Sequence, residues 1–423
     1  MTTYSIVGPK AIDTTVKLPA SKSISNRALI IRALSEKDVT LENVSDCDDT
    51  EVMVRALMGL PEIIDIRAAG TSMRFLTALL SATEHGTHLI TGTERMLHRP
   101  IGLLVDALRF IGASIDYVGV EGYPPLRIHG QRLPGGPVEM AGNVSSQYIS
   151  ALLLIGPLLR DGLQLRLKGS ITSRPYIDLT LWMMREFGAV ADWSSVDSIS
   201  VEPKPYTRTS SYYIESDWSA ASYWYELLAL SANSGDRVRL EGLTDGSKQG
   251  DSAVRYLFSL LGVHTSFASR KPGRPTTVTL KKSGHHVSRL DYDFTGQPDL
   301  AQTLVVCCAM MGVPFHFTGL QTLKIKETDR IEALKREMRK LGYVVVSDAE
   351  GYELTWDGER CMPERGAAID TYNDHRMAMA FAPVCMRQAV SINDPEVVSK
   401  SYPRFWDDLR QAGARVEWRE ERE

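Results

Sequence analysis

No stretch of this 423-residue chain approaches the roughly eighteen consecutive apolar residues that a membrane-spanning helix requires. The nearest, Leu304 to Val313, is stopped by Pro314 and reads as a buried helix. The first twenty residues lack a basic stretch followed by an apolar one, so no secretory signal is visible. A cytoplasmic protein that engages no membrane is expected. Cysteine is scarce: Cys47, Cys307, Cys308, Cys361 and Cys385 fit neither a disulfide framework nor a zinc spacing, and are expected to be reduced, mostly buried thiols. A basic surplus is missing too. The 48 lysines and arginines face 52 acidic residues, which argues against a general nucleic-acid binder. Any anion site must be a local concentration of cations.

Familiar chemical templates are also missing. Gly246-Ser247-Lys248 lacks the spacing of a nucleotide-binding loop, no GxGxxG follows a strand, and neither a GxSxG elbow nor an HExxH helix occurs. His285-His286 has no further ligand at metal spacing and reads as a solvated turn. The chemistry must then run on Lys, Glu, Asp, His and Arg, which suits proton transfer on a polyanionic substrate.

What is present is a repeat. Helical spacing, then Gly, then a short alternating strand recurs over Leu103–Tyr117, Thr180–Trp193, Ala253–Phe267, Ala333–Ser347 and Phe405–Trp418. The glycines, Gly112, Gly188, Gly262, Gly342 and Gly413, lie 71 to 80 residues apart and suit the left-handed position that ends a helix. A second helix type, apolar on nearly every side and so expected to be buried, repeats in phase. Its copies are Ser25–Leu34, Ser72–Ala82, Gln147–Leu158, Ser219–Ala232, Asp299–Met311 and Arg376–Met386. Six such units imply a pseudo-symmetric α/β architecture. The first is short, since Gly59 precedes Gly112 by only 53 residues. The Pro- and Ser-rich stretch from Glu202 to Ser211 follows the third unit and reads as a linker between two halves of three.

Helix N-termini receive anions readily, although capping by Ser, Asp or Asn is the commoner use, and Asp217 is read as a cap. Eight cations sit at loop or helix tips: Lys22, Arg27, Arg74, Arg99, Lys326, Arg330, Arg376 and Lys400. Converging, they could hold two or three phosphate or carboxylate groups. Lys326-Glu327-Thr328-Asp329-Arg330 admits two readings, a solvated first turn of the helix Ile331–Leu341 or part of that anion site.

Several of these stretches together resemble the 5-enolpyruvylshikimate-3-phosphate (EPSP) synthase family. The carriers are Leu18-Pro19-Ala20-Ser21-Lys22-Ser23 with Asn26-Arg27, Ala69-Gly70-Thr71 with Met73-Arg74, and Arg95-Met96 with Arg99-Pro100-Ile101-Gly102. Ser145-Ser146-Gln147, Ser173 with Pro175-Tyr176-Ile177-Asp178, Lys326 to Arg330, Asn373-Asp374-His375-Arg376-Met377, and Asp394-Pro395 with Lys400 complete the set, in order and nearly end to end. The resemblance implies two similar domains, each of three βαβαββ units in an inside-out α/β barrel, with the active site in the interdomain cleft. It places residues 19–215 in one domain and 1–18 with 216–423 in the other. It also implies transfer of the enolpyruvyl group of phosphoenolpyruvate to the 5-hydroxyl of shikimate 3-phosphate, on the pathway to chorismate and aromatic amino acids. No metal or organic cofactor is implied, and a monomer is expected.

Carried across motif by motif, the resemblance assigns Ser23, Arg27, Ser145, Ser146, Gln147, Ser173, Tyr176 and Lys326 to shikimate 3-phosphate, with Lys22 and Asp299 also touching it. Lys22, Gly70, Arg99, Gln147, Arg330, Arg376 and Lys400 fall to phosphoenolpyruvate. Asp299 would accept the hydroxyl proton and Glu327 would manage the proton at the methylene carbon, with Lys22 and His375 beside the departing phosphate. The family is the target of glyphosate, which competes for the phosphoenolpyruvate site, and Gly70 favours sensitivity. Three departures stand out: Ala68 and Thr322 each replace a usual Asn, and the first unit lacks strands between Asp49 and Ala68. The sister transferase acting on UDP-N-acetylglucosamine typically carries a Cys shortly before an Arg-Pro, and none occurs from His85 to His98. An inactive anion-binding relative would be expected to lose Lys22, Asp299 or Glu327, and all three are kept.

Overall fold

The periodicity resolves into six helix-and-strand units. The structure, a computed structural model, describes residues 2–269, 271 and 273–419. The chain divides into two compact units, Ala20–Ile214 and the segments before and after it. Among the described residues five sheets have four strands, and each has the same pairing: a parallel pair, then two antiparallel strands. In Ala20–Ile214 these are Ile63–Asp65, Thr87–Thr91, Leu126–His129 and Ser114–Tyr117, followed by Gly136–Ala141, Leu163–Lys168, Ser198–Val201 and Ala191–Trp193. The sixth sheet is only Tyr212–Tyr213 paired in parallel with Leu41–Glu42. Here the expected shortening is visible: the helix Asp48–Leu57 leads within six residues into Ile63–Asp65, which belongs to the next sheet.

Strand exchange between distant segments closes the sheets. Asp13–Lys17 lies just ahead of the helix Lys22–Leu34, yet it pairs with Arg237–Thr244, more than two hundred residues on and in the same unit as itself. Thr3–Val7 inserts between Val390–Asn393 and Arg415–Arg419 to finish the last sheet. Sheet strands alternate, as in Leu163–Lys168, where Leu163, Leu165 and Leu167 point inward and the residues between them are exposed.

Within each unit three apolar helices form the centre. Lys22–Leu34, Gly70–Ser81 and Ser146–Ile155 pack together in one; Trp218–Leu230, Ala301–Met311 and His375–Phe381 do so in the other. Their low amphipathicity follows from burial on all sides, and the sheets shield them from water. Gly112, Gly188, Gly262, Gly342 and Gly413 all have positive φ, so each helix-to-strand turn uses the conformation that glycine tolerates.

The stretch from Glu202 to Ser211 is not a free linker, which corrects the sequence reading. Tyr206 is fully buried and its hydroxyl donates to the Leu154 carbonyl at 2.9 Å, while Thr207 N donates to Phe187 O. One aromatic plug outweighs the loop-forming composition around it. The five cysteines form no disulfide. No helix among the described residues is long and apolar enough to cross a membrane.

A carboxyl group is buried in one of these apolar helices. Glu226 is fully buried in Trp218–Leu230, and among the described residues neither carboxyl oxygen has a hydrogen-bond partner. Burial raises its pKa well above the ordinary carboxylate value. Unfolding therefore releases a proton above about pH 4.5, and stability falls as pH rises from there through the folded-state value. Glu226→Met removes an unsatisfied polar group and is expected to raise the unfolding free energy by about 1–3 kcal/mol at pH 7 and to flatten that slope. Urea melts from pH 5 to 8 measure both; a less stable Glu226→Met with the slope retained would contradict the account.

Candidate active site

The helix starts in Ala20–Ile214 carry one group of candidate residues. Ser21 caps Lys22–Leu34, its Oγ accepting from Ile24 N at 3.4 Å, which sets Lys22 and Ser23 on the first turn. Lys22 Nζ lies 3.1 Å from Asp49 Oδ2, a largely buried pair. Arg27 is 2 % exposed and lies over the Phe75 ring, 5.5 Å from its centroid. It donates to Thr180 Oγ1, the Ser23 carbonyl, Ser150 Oγ and the Tyr176 carbonyl, which uses four of its five N–H groups inside the unit. Burial pushes its pKa down to about 10, so the guanidinium still carries its charge at neutral pH. Arg27 is thus first a structural cation that ties Ser23 to Tyr176.

Gln147 follows the Ser145 cap and is held on both sides. Its Oε1 accepts from Arg74 Nη1 at 2.7 Å and its Nε2 donates to Thr71 Oγ1 at 3.0 Å. Arg74 also donates to the Gly70 carbonyl and lies 5.0 Å from the Tyr148 ring centroid. Arg99 approaches the same glycine: a methyl placed on Gly70 would stand 2.6 Å from Arg99 Nη1 and 2.9 Å from Arg74 Nη1. Ser146 is buried beside the Ser145 cap. Ser173 is a buried left-handed residue at the start of Arg174–Glu186, with Tyr176 half-buried one turn on.

The other unit gathers Asp299, Lys326, Glu327, Arg330, Asp374, Arg376 and Lys400 into one charged cluster. Asp329 caps Arg330–Lys340, accepting from Ile331 N and Glu332 N, so the capping reading holds for Asp329 but not for its neighbours. Arg330 is 1 % exposed, which rules out a solvated charge. Its guanidinium contacts three carboxylates: Asp374 Oδ2 at 2.7 Å, Glu327 Oε2 at 2.9 Å and Asp299 Oδ1 at 3.1 Å. Asp299 is shared further, 2.9 Å from Arg376 Nη2 and 3.5 Å from Lys326 Nζ. Glu327 Oε1 lies 3.5 Å from Lys400 Nζ. His375 is buried, with Nδ1 3.6 Å from Asp374 Oδ1.

Electrostatics follow from this geometry. Burial works against an ionised Asp299, yet Arg376, Lys326 and Arg330 outweigh it and hold the carboxyl far below the usual carboxylate range. Burial lowers the Lys326 pKa in spite of Asp299. Burial likewise works against the Arg330 charge, but Asp374, Glu327 and Asp299 more than restore it. Burial pushes Tyr223, whose hydroxyl is 3.4 Å from Arg376 Nη1, up to about 12. Four cations meet three carboxylates, so this cluster keeps one positive charge when all are ionised.

Asp49 and Asp374 belong to these clusters but were given no role from sequence, and Arg74 was counted only among the cations of an anion site. Asp374 also caps its helix, since its Oδ1 accepts from Arg376 N at 3.0 Å. Asp49 sits in the acidic first turn of Asp48–Leu57, and its use as the partner of Lys22 depends on chain folding. Of the two replaced asparagines, Thr322 is buried and its hydroxyl makes no hydrogen bond among the described residues, while Ala68 is half-buried.

Solved structures of similar shape share the fold along nearly the whole chain. An EPSP synthase from Acinetobacter baumannii superposes with a TM-score of 0.79 over 99% of this chain and 100% of its own, at 21% identity. The enolpyruvyl transferase NikO from Streptomyces tendae reaches 0.74 over 99% of each chain, at 15% identity. In sequence, the family model described as EPSP synthase (3-phosphoshikimate 1-carboxyvinyltransferase) matches residues 6–64 and 58–409. A 3-phosphoshikimate 1-carboxyvinyltransferase of Bacteroides fragilis is 57% identical over 419 residues, covering 99% of this chain and 100% of its own. One from Burkholderia vietnamiensis is 36% identical, covering 96% and 98%. The chain belongs to the EPSP synthase family. The two matched pieces meet where the first unit is shortened.

Proposed function

We propose that the 3-phosphoshikimate 1-carboxyvinyltransferase activity of this chain runs on the two groups of residues described above. The observation that carries the reading is the 57% identity over full length, joined to Lys22, Asp299 and Glu327 each lying among charged partners. Shikimate 3-phosphate is held by Ser23, Arg27, Ser145, Ser146, Gln147, Ser173, Tyr176 and Lys326. Phosphoenolpyruvate is held by Lys22, Gly70, Arg99, Gln147, Arg330, Arg376 and Lys400. Its carboxylate and phosphate suit a cluster left with a net positive charge, because forked guanidinium groups pair with both.

In the addition step the 5-hydroxyl oxygen bonds to C2 of phosphoenolpyruvate, Asp299 takes the hydroxyl proton, and Glu327 delivers a proton to C3. In the elimination step the C2–O bond to phosphate breaks, Glu327 removes a proton from the new methyl, and the double bond returns. Lys22 supports the departing phosphate, and His375 stands beside that proton traffic. Asp299 meets its task ionised, and substrate anions compete for the cations that hold it. The cations stabilise the charge of the tetrahedral intermediate more than that of either substrate, which is where rate is gained.

Mixing the chain with shikimate 3-phosphate and phosphoenolpyruvate is expected to release phosphate and form the enolpyruvyl product. UDP-N-acetylglucosamine as acceptor is expected to give none. Turnover only with the latter, or with neither, would discard the reading. A second expectation concerns Gly70. Gly70→Ala pushes the Arg99 and Arg74 guanidinium ends away from the helix start and should raise KM for phosphoenolpyruvate roughly tenfold. Inhibition by glyphosate should weaken at the same time, and inhibition curves identical to wild type would remove Arg99 from this site.

A further inference from the structure

A left-handed turn carries Asp374, His375 and Arg376. Tyr372 and Asn373 both have φ of 55°, a region that asparagine tolerates and tyrosine rarely adopts. Such a backbone persists only where its surroundings hold it. The helix Arg330–Lys340 supplies that hold at two places on one face, because residues seven apart fall two turns along the same stripe. Arg330 grips Asp374 through two hydrogen bonds, 2.7 and 3.2 Å. Glu337, two turns on and fully buried, accepts from Tyr372 Oη at 2.6 Å and from Asp370 N at 3.0 Å. Lys340 balances that carboxylate at 2.8 Å and reaches Asp370 Oδ2 at 2.7 Å. Asp370 is fixed from its other oxygen by Asn393 Nδ2 at 2.7 Å.

We infer that Glu337 and Tyr372 are positioning residues for carboxyvinyl transfer. They lock the Asp370–Asp374 turn so that Asp374 meets Arg330 and presents Arg376 to phosphoenolpyruvate. Neither touches the reacting atoms. The inference rests on the assignment of Arg330 and Arg376 to phosphoenolpyruvate. Its physical content is a clamp: one helix face holds both ends of a strained turn, and loosening one end lets the cations drift from the arrangement the substrate needs.

Tyr372→Phe removes one hydroxyl and keeps the ring, while Glu337→Gln removes the charge that Lys340 and Asp370 N share. Steady-state kinetics with each substrate varied, together with thermal melts, form the test. The expected result is a ten- to hundredfold loss in kcat/KM for phosphoenolpyruvate, since small misplacements of charged groups cost that much. KM for shikimate 3-phosphate, assigned mainly to Ala20–Ile214, should stay within about twofold of wild type. Wild-type constants in both variants overturn the inference. So does an equal loss for both substrates, which marks a merely structural role. Should Glu337→Gln fail to fold, Tyr372→Phe alone decides. Wild-type turnover with these substrates tests the functional reading separately, so failure of that reading is seen before any variant is made.

Discussion

Arg330→Met is expected to lower the unfolding free energy by about 3–5 kcal/mol and to abolish turnover. The reason is the asymmetry of buried charge. Arg330 is 1 % exposed and serves Asp374, Glu327 and Asp299 at once. Taking three carboxylates partly out of water is costly, and the guanidinium offsets that cost through a fixed fork of donors. A methionine fills similar volume but leaves carboxylates facing one another. Arg330→Lys separates the two contributions: it keeps the charge but cannot reach three acceptors, so it should recover part of the stability and little of the activity. Urea denaturation and phosphate release measure these effects. A midpoint for Arg330→Met equal to wild type would show that the carboxylates do not depend on Arg330.

That dependence also explains what the sequence could and could not disclose. The six buried helices and the five helix–Gly–strand pairs were legible because apolar periodicity and left-handed glycines are local signals. The observed Gly70–Ser81 and Trp218–Leu230 differ from the expected spans by only one or two residues at each end. Arg330 was not legible in the same way. An alternating run of acids and bases looks the same whether it is solvated or folded onto carboxylates 31 and 44 residues away. Tyr206 shows the converse, since one buried ring turns a Pro- and Ser-rich stretch into packed structure. The pairing of Asp13–Lys17 with Arg237–Thr244 leaves no periodic trace, because a strand reads alike in either sheet. Glu226 was hidden inside an otherwise apolar helix, where burial of a lone carboxyl is decided by its neighbours. Family resemblance supplied the roles of Asp299 and Glu327; spacing alone supplied neither.

Asp299→Asn and Glu327→Gln are expected to reduce kcat by roughly a hundredfold to ten-thousandfold each, with melting behaviour changed far less than in Arg330→Met. Both replacements are nearly isosteric and keep an oxygen for the surrounding donors, so the cluster should retain its shape. What each loses is the ability to exchange a proton. Asp299→Asn cannot take the 5-hydroxyl proton, and Glu327→Gln can neither protonate C3 nor strip the methyl hydrogen afterwards. The two variants also relieve part of the negative charge around Arg330, Arg376 and Lys400. Affinity for phosphoenolpyruvate should therefore hold or tighten while turnover collapses, a split that general loss of folding cannot imitate. Single-turnover product formation, measured beside equilibrium binding of each substrate, reads that split directly. Full turnover in either variant would remove that carboxylate from the proton path, and weakened binding with kcat preserved would reassign it to holding substrate.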